Sequence, residues 1–116
     1  MKKSTKIYEI NSNIQESLRK ELNNENKTYY FTLSEIANIV EINSNGNLEK
    51  QTIEYKVRSK LKDYCIIKNN KKLKFSFYPF DCVPRFIEDL ESEGTIFTYQ
   101  DAESIVNEFI PIEYQL

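Results

Sequence analysis

The sequence predicts an α+β fold that is mostly helical, with one β-hairpin past its middle and two additional helices at its C-terminal end. Three observations carry this expectation. Apolar residues recur at helical spacing in several separate stretches. One segment, Lys71 to Tyr78, alternates strictly: Leu73, Phe75 and Phe77 on one side, Lys72, Lys74 and Ser76 on the other. Gly and Pro number only two and three, which favours long regular elements over a turn-rich sandwich.

At 116 residues the chain suits a single domain, 1–116, able to bury about two-thirds of its unfolded surface. With 40% hydrophobic and 29% charged residues, it has the composition of a folded protein rather than a disordered one. No run approaches the ~18 apolar residues of a membrane helix. The basic start, Met1 to Lys6, leads into polar residues rather than an apolar run, so neither a signal peptide nor a membrane partner is expected, and the cytoplasm is the expected location. Cys65 and Cys82 lie in apolar surroundings and read as two reduced, buried thiols. Ile, Lys, Asn and Tyr, residues of AT-rich codons, make up 47 positions, a hint of an AT-rich bacterium, phage or mobile element.

In chain order, Ile7 to Ile10 alternates like a short strand, and Ser12 with Gln15 has the spacing of a capping box opening a first helix. Ile14, Leu18 and Leu22 give that helix an apolar stripe, and Asn23 to Asn26 ends it. Thr28 to Phe31 is strand-like. Thr32 and Glu35 form a second capping box, before a helix with Leu33, Ile36, Ala37 and Val40 on one face. Ser44-Asn45-Gly46-Asn47 is the clearest turn, and a helix from Leu48 to Tyr64 follows. Strands at 64–68 and 71–78 would be joined by a tight turn at Asn69-Asn70, since Asn tolerates positive φ. Pro84 suits a first helical turn whose apolar face is Phe86, Ile87 and Leu90, with Gly94 beyond the end. Thr98 and Asp101 are candidate caps for a last helix lined by Ala102, Ile105, Val106 and Phe109 and stopped by Pro111.

The chemistry the chain lacks narrows its function. It has no His, which removes the commonest general base, the Ser-His and Cys-His nucleophile systems and most catalytic zinc sites. Gly46 and Gly94 stand alone, so there is no glycine-rich phosphate loop, and the acidic residues lack a calcium-loop pattern. No enzyme activity, cofactor or metal is expected.

The third helix is more informative. At about 100° per residue, Ile53, Val57, Leu61 and Tyr64 gather into a buried stripe. Opposite them lie Gln51, Thr52, Tyr55, Arg58, Ser59 and Lys62, with Lys56 and Lys60 on the flanks. Gln and Arg can pair with adenine and guanine edges, and Thr, Ser, Tyr and Lys with phosphates. The hairpin adds Lys68, Lys71, Lys72 and Lys74. Either feature alone describes a solvated surface, but side by side they would form one basic face.

Charge is unevenly spread along the chain. Residues 1–46 are neutral, residues 47–74 carry nine basic and three acidic groups for a net +6, and residues 75–116 carry one basic and nine acidic for a net −8. The acidic helices read first as packing on the hairpin and first helix, and next as a dimer interface. Phe75, Phe77, Tyr78 and Phe80 could stack bases but at strand spacing read as core.

The order helix, short strand, helix, turn, helix, hairpin resembles the winged helix-turn-helix superfamily. "FTLSEIANIV" (31–40) is similar to its second helix, and "TIEYKVRSKLKDYCII" (52–67) to its recognition helix running into the first wing strand. The resemblance covers about residues 28–78, within a core of about 12–78 followed by an acidic helical extension of about 79–116. Two departures stand out. The segment Glu41 to Gln51 is longer than the motif's tight turn, and Cys65 takes the place where the family often has glycine. The resemblance implies double-stranded DNA as partner, a homodimer, and a role as transcriptional regulator or accessory factor. The alternative is a phage or mobile-element inhibitor or adaptor, similar to the anti-CRISPR class, that binds a protein through its acidic C-terminal surface.

Overall fold

A computed structural model describes residues 2–97 and 101–115, with residues 2–9 as backbone only. Its elements run α1 (Lys2–Asn26), β1 (Tyr30–Thr32), α2 (Leu33–Asn43), α3 (Lys50–Lys60), a 3-10 turn (Lys62–Tyr64), β2 (Ile66–Asn70), β3 (Leu73–Pro79), α4 (Cys82–Ser92), α5 (Ala102–Glu108) and a final 3-10 turn (Ile112–Tyr114). Among the described residues, five helices and a three-stranded antiparallel sheet make this an α+β fold that is mostly helical. None of the described helices is long and apolar enough to cross a membrane.

The sheet has the order β1-β3-β2, both pairings antiparallel, so the C-terminal strand lies between the other two. Its register sorts the side chains onto two faces. Tyr30, Phe77, Phe75 and Ile66 share one face, where Leu18 and Leu22 of α1 cover them. Phe31 and Tyr78 share the other and join the main core with Ile36, Val40, Ile53, Val57, Phe86, Ile87 and Val106. Helices therefore cover both faces at the β1–β3 end, which is why the adjacent Phe77 and Tyr78 are both buried despite their alternation.

The capping box at Thr32 forms as expected: Glu35 N–H donates to Thr32 Oγ1 at 3.2 Å, and Thr32 N–H to Glu35 Oε1 at 2.8 Å. Asn45 (φ 52°) and Gly46 (φ 75°) reverse the chain between α2 and α3. Gly94 (φ 106°) ends α4, with Thr95 N–H returning to Leu90 O and Gly94 N–H to Glu91 O, a Schellman closure. Asp101 caps α5 by accepting from Ser104 N–H at 3.2 Å. Thr98, the other expected cap, lies outside the described residues.

Four expectations need correction. Ile7 to Ile10 is not a strand: α1 runs unbroken through it, and Ser12 lies inside the helix instead of capping it. The apolar spacing 7-10-14-18-22 is helical throughout, and no Gly or Pro interrupts it. The helix expected over 48–64 is shorter, because Leu61 (φ −108°, ψ 15°) leaves helical geometry and a 3-10 turn follows. That change of pitch carries Tyr64 out of the buried stripe, leaving it 45% exposed. The hairpin turns at Lys71-Lys72, not Asn69-Asn70. Asn70 pairs with Leu73, and Lys71 takes the left-handed φ of 56°. This register keeps Ile66 and Phe77 opposite each other beneath α1. Finally, Cys82 is buried but Cys65 only half-buried.

Candidate nucleic-acid interface

Helix α3 is held by Ile53 and Val57, both fully buried, and by Leu61 just past its end. With that stripe fixed, the helix must turn its opposite face to solvent. Gln51, Thr52, Tyr55, Arg58 and Ser59 are all exposed, as is Lys62 in the turn that follows. Ser59 Oγ–H donates to Lys56 O at 3.3 Å, which leaves the hydroxyl's acceptor capacity available. Lys50, at the start of the helix, is exposed as well; expecting the helix to begin at Leu48 obscured its terminal position.

The hairpin lysines divide into two groups. Lys74 is opposite Asn69 and shares a sheet face with Tyr78, whereas Lys68 is opposite Phe75 and shares the face covered by α1. Tyr78 marks the α3 side. Its hydroxyl is pushed up to about 12, first by burial and then by the hydrogen bond with Cys65, while the nearby positive charge of Arg58 opposes the shift. Lys74 therefore lies on the α3 side of the hairpin, Lys71 and Lys72 at its tip, and Lys68 on the back. Lys68 does not belong to the continuous face expected from sequence.

Lys56 is set apart too. Glu93, at the end of α4, is forked between Lys56 Nζ (3.4 Å) and Lys60 Nζ. The Lys60 hydrogen bond, helped by that of Lys56, holds the Glu93 carboxyl below its usual range. One carboxylate of the acidic third thus occupies one flank of α3, and Lys56 and Lys60 are already paired. By contrast, Lys50, Arg58, Lys62, Lys71, Lys72 and Lys74 form no ion pair with any described residue.

The acidic helices lie behind this surface. Phe86, Ile87 and Leu90 of α4, with Ala102 and Val106 of α5, are buried in the main core, so their apolar faces are occupied within the chain. Glu88, Asp89, Glu91, Glu103 and Glu108 are exposed. Phe77 and Tyr78 are buried, with Phe75 and Phe80 packed against the cores, so the aromatic cluster is structural.

A buried centre elsewhere went unforeseen. Arg19 of α1 is fully buried and reaches Glu35 by two hydrogen bonds (2.8 and 3.0 Å), Glu16 at 2.9 Å, and Tyr30 O at 2.9 Å. It also donates to the Tyr29 hydroxyl and lies 4.9 Å from that ring's centroid. Burial opposes the guanidinium charge, but the Glu35 hydrogen bond and field outweigh it and keep its pKa above the ordinary value. The i, i+3 spacing of Glu16 and Arg19 was the only sequence signal for this pair. No group of His, Cys, Asp or Glu among the described residues could hold a metal ion.

No protein-family model, curated protein or solved structure matches the chain.

Proposed function

We propose that this chain is a DNA-binding protein of the winged helix-turn-helix type, a transcriptional regulator or accessory factor that sets α3 in the major groove and the β2–β3 hairpin beside it. Two features support the winged reading: the order α1-β1-α2-α3-β2-β3, and the β1-β3-β2 sheet in which the hairpin's second strand pairs with the short strand before α2. The observation that carries the DNA reading is the unpaired basic face. Arg58 and Lys62 near the end of α3, and Lys71, Lys72 and Lys74 on the hairpin, are exposed and free of carboxylate partners among the described residues.

In this reading Arg58 and Gln51 contact base edges, and Thr52, Tyr55, Ser59 and Lys62 contact phosphate or sugar. The hairpin lysines neutralise phosphates on the adjoining strand. Lys56 contributes only if Glu93 releases it. Titration of labelled duplexes at low salt tests the proposal: the wild-type chain binds, and Arg58→Glu or Lys62→Glu abolishes binding with the thermal melt unchanged. A wild-type chain without affinity for any duplex or single strand rules it out.

A second reading keeps the fold but takes a protein partner, favoured by the exposed carboxylates of α4 and α5. It requires a stoichiometric protein complex that Glu88→Lys or Glu103→Lys weakens and Arg58→Glu leaves intact.

A further inference from the structure

The α3 side of the hairpin carries an apolar side chain that phosphate contact does not explain. The register sets Ile67 opposite Ser76 and Asn69 opposite Lys74, on the face that Tyr78 shares. Tyr78 belongs to the main core, with Cys65 packed against that core. Further along β2 the cover ends: Ile67 belongs to neither core and is 58% exposed.

An exposed Ile alone is unremarkable; its surroundings give it meaning. Lys62 stands in the 3-10 turn at the foot of β2, where its carbonyl accepts Cys65 N–H at 3.3 Å. Lys74 is the diagonal neighbour of Ile67 across the β2–β3 pair, about 7 Å away at Cβ. Lys71 and Lys72 stand beyond it at the tip. All four lysines are exposed and form no ion pair with any described residue. Ile67 is thus an aliphatic side chain set among cations.

A phosphate gains nothing from an aliphatic contact, and the base edges fall to α3 in the groove. What remains of a nucleic-acid backbone is its sugar. In DNA the 2′ carbon is a methylene, apolar like Ile67 itself. In RNA it carries a hydroxyl that both donates and accepts. Pressed on Ile67, that hydroxyl would lose its water and find no partner.

We propose that Ile67 discriminates between sugars: it packs on the deoxyribose next to the phosphate held by Lys74 and so selects DNA over RNA. The inference rests on the nucleic-acid reading of this face and deepens it, since the lysines alone attract either polymer.

Anisotropy titrations at low salt, with three duplexes of one sequence, test it: DNA with thymine, DNA with uracil in its place, and RNA. The variants are Ile67→Val and Ile67→Thr, nearly equal in shape, of which only Thr offers the 2′ hydroxyl a partner. The wild type and Ile67→Val favour both DNAs over RNA. Ile67→Thr narrows that gap by about tenfold, equally for thymine and uracil DNA. Duplex shape affects all three proteins alike, so the change in the gap reports the side chain, and circular dichroism with melting confirms that each variant folds. A gap that Ile67→Thr leaves unchanged overturns the proposal. So does an effect confined to thymine DNA, which would make Ile67 a reader of the thymine methyl. Both results leave DNA binding by this face standing, whereas a wild type that binds none of the duplexes overturns the reading beneath it.

Discussion

Arg19 of α1 and Glu35 of α2 meet in a bidentate pair at 2.8 and 3.0 Å, and the same Glu35 closes the capping box on Thr32. One carboxylate thus ties the long N-terminal helix to the start of the helix before α3. Arg19 is fully buried while the Glu35 side chain is 37% exposed, so the two halves of the pair are unequal. Removing Glu35 leaves the buried cation with only the more exposed Glu16 as counter-charge; removing Arg19 leaves an anion that water can reach.

Glu35→Ala should therefore cost about 3 kcal/mol, combining a broken buried pair with a lost cap. Glu35→Gln, which can still accept from Thr32 N–H, should cost less. Urea unfolding of the two variants checks the order, and equal losses would show that the retained cap acceptor contributes nothing and the charge on Glu35 carries the whole effect.

Releasing Lys56 and Lys60 should strengthen duplex binding. Glu93→Ala removes the only carboxylate that either lysine pairs with among the described residues. Exposed bridges contribute little to folding, so the melt should stay close to that of the wild type. Duplex affinity, read by fluorescence anisotropy, should rise severalfold at low salt and converge with wild type at high salt.

The two faces of the hairpin should behave differently. Lys74→Glu, on the face shared with Tyr78, should weaken duplex binding far more than Lys68→Glu, on the face shared with Phe75. Equal effects in the same titration would mean that the nucleic acid wraps the hairpin or that the docking face lies elsewhere.

Alkaline pH should destabilise the fold. Burial pushes the Cys82 thiol from 9.0 up to about 12, and, also first through burial, the Tyr78 and Tyr114 hydroxyls from 10.0 up to about 12. Each group is neutral when protonated, and the unfolded chain ionises first. Their stabilisation is complete below about pH 9 and is lost as pH rises towards 12. With no His in the chain, no imidazole titration interrupts the neutral range. Melts from pH 6 to 11 should show a plateau and then a fall, and Cys82→Ala should flatten the first part of that fall.

Local signals were legible in the sequence where short-range chemistry decides the outcome. Thr32 with Glu35, the Asn45-Gly46 reversal and Gly94 beyond α4 each act within a few residues, and each formed as its residues imply. Ser12 with Gln15 has the same spacing but lies mid-helix, because a capping box stops nothing when no Gly or Pro interrupts the helix upstream. The hairpin turn was misplaced because its register is set by packing beneath α1, through Ile66 and Phe77, rather than by the residues most tolerant of positive φ. Tyr64 emerged because the helix changed pitch at Leu61, a position with no Gly or Pro to announce it. Two contacts at the heart of the account were invisible: Arg19 with Glu35 and Glu93 with Lys60 join residues 16 and 33 apart, and only the tertiary fold brings them together.

The most direct test of the central claim is the salt dependence of duplex binding by the wild-type chain and Arg58→Glu. The four lysines placed on phosphates, Lys62, Lys71, Lys72 and Lys74, each contributing a slope of about −0.9, predict a log-log dependence of roughly −4 for the wild type, and no measurable binding for the variant, whose lost contact is to a base edge. A flat dependence, or a variant that binds as tightly as the wild type, would contradict the proposal that α3 and the hairpin form the nucleic-acid face.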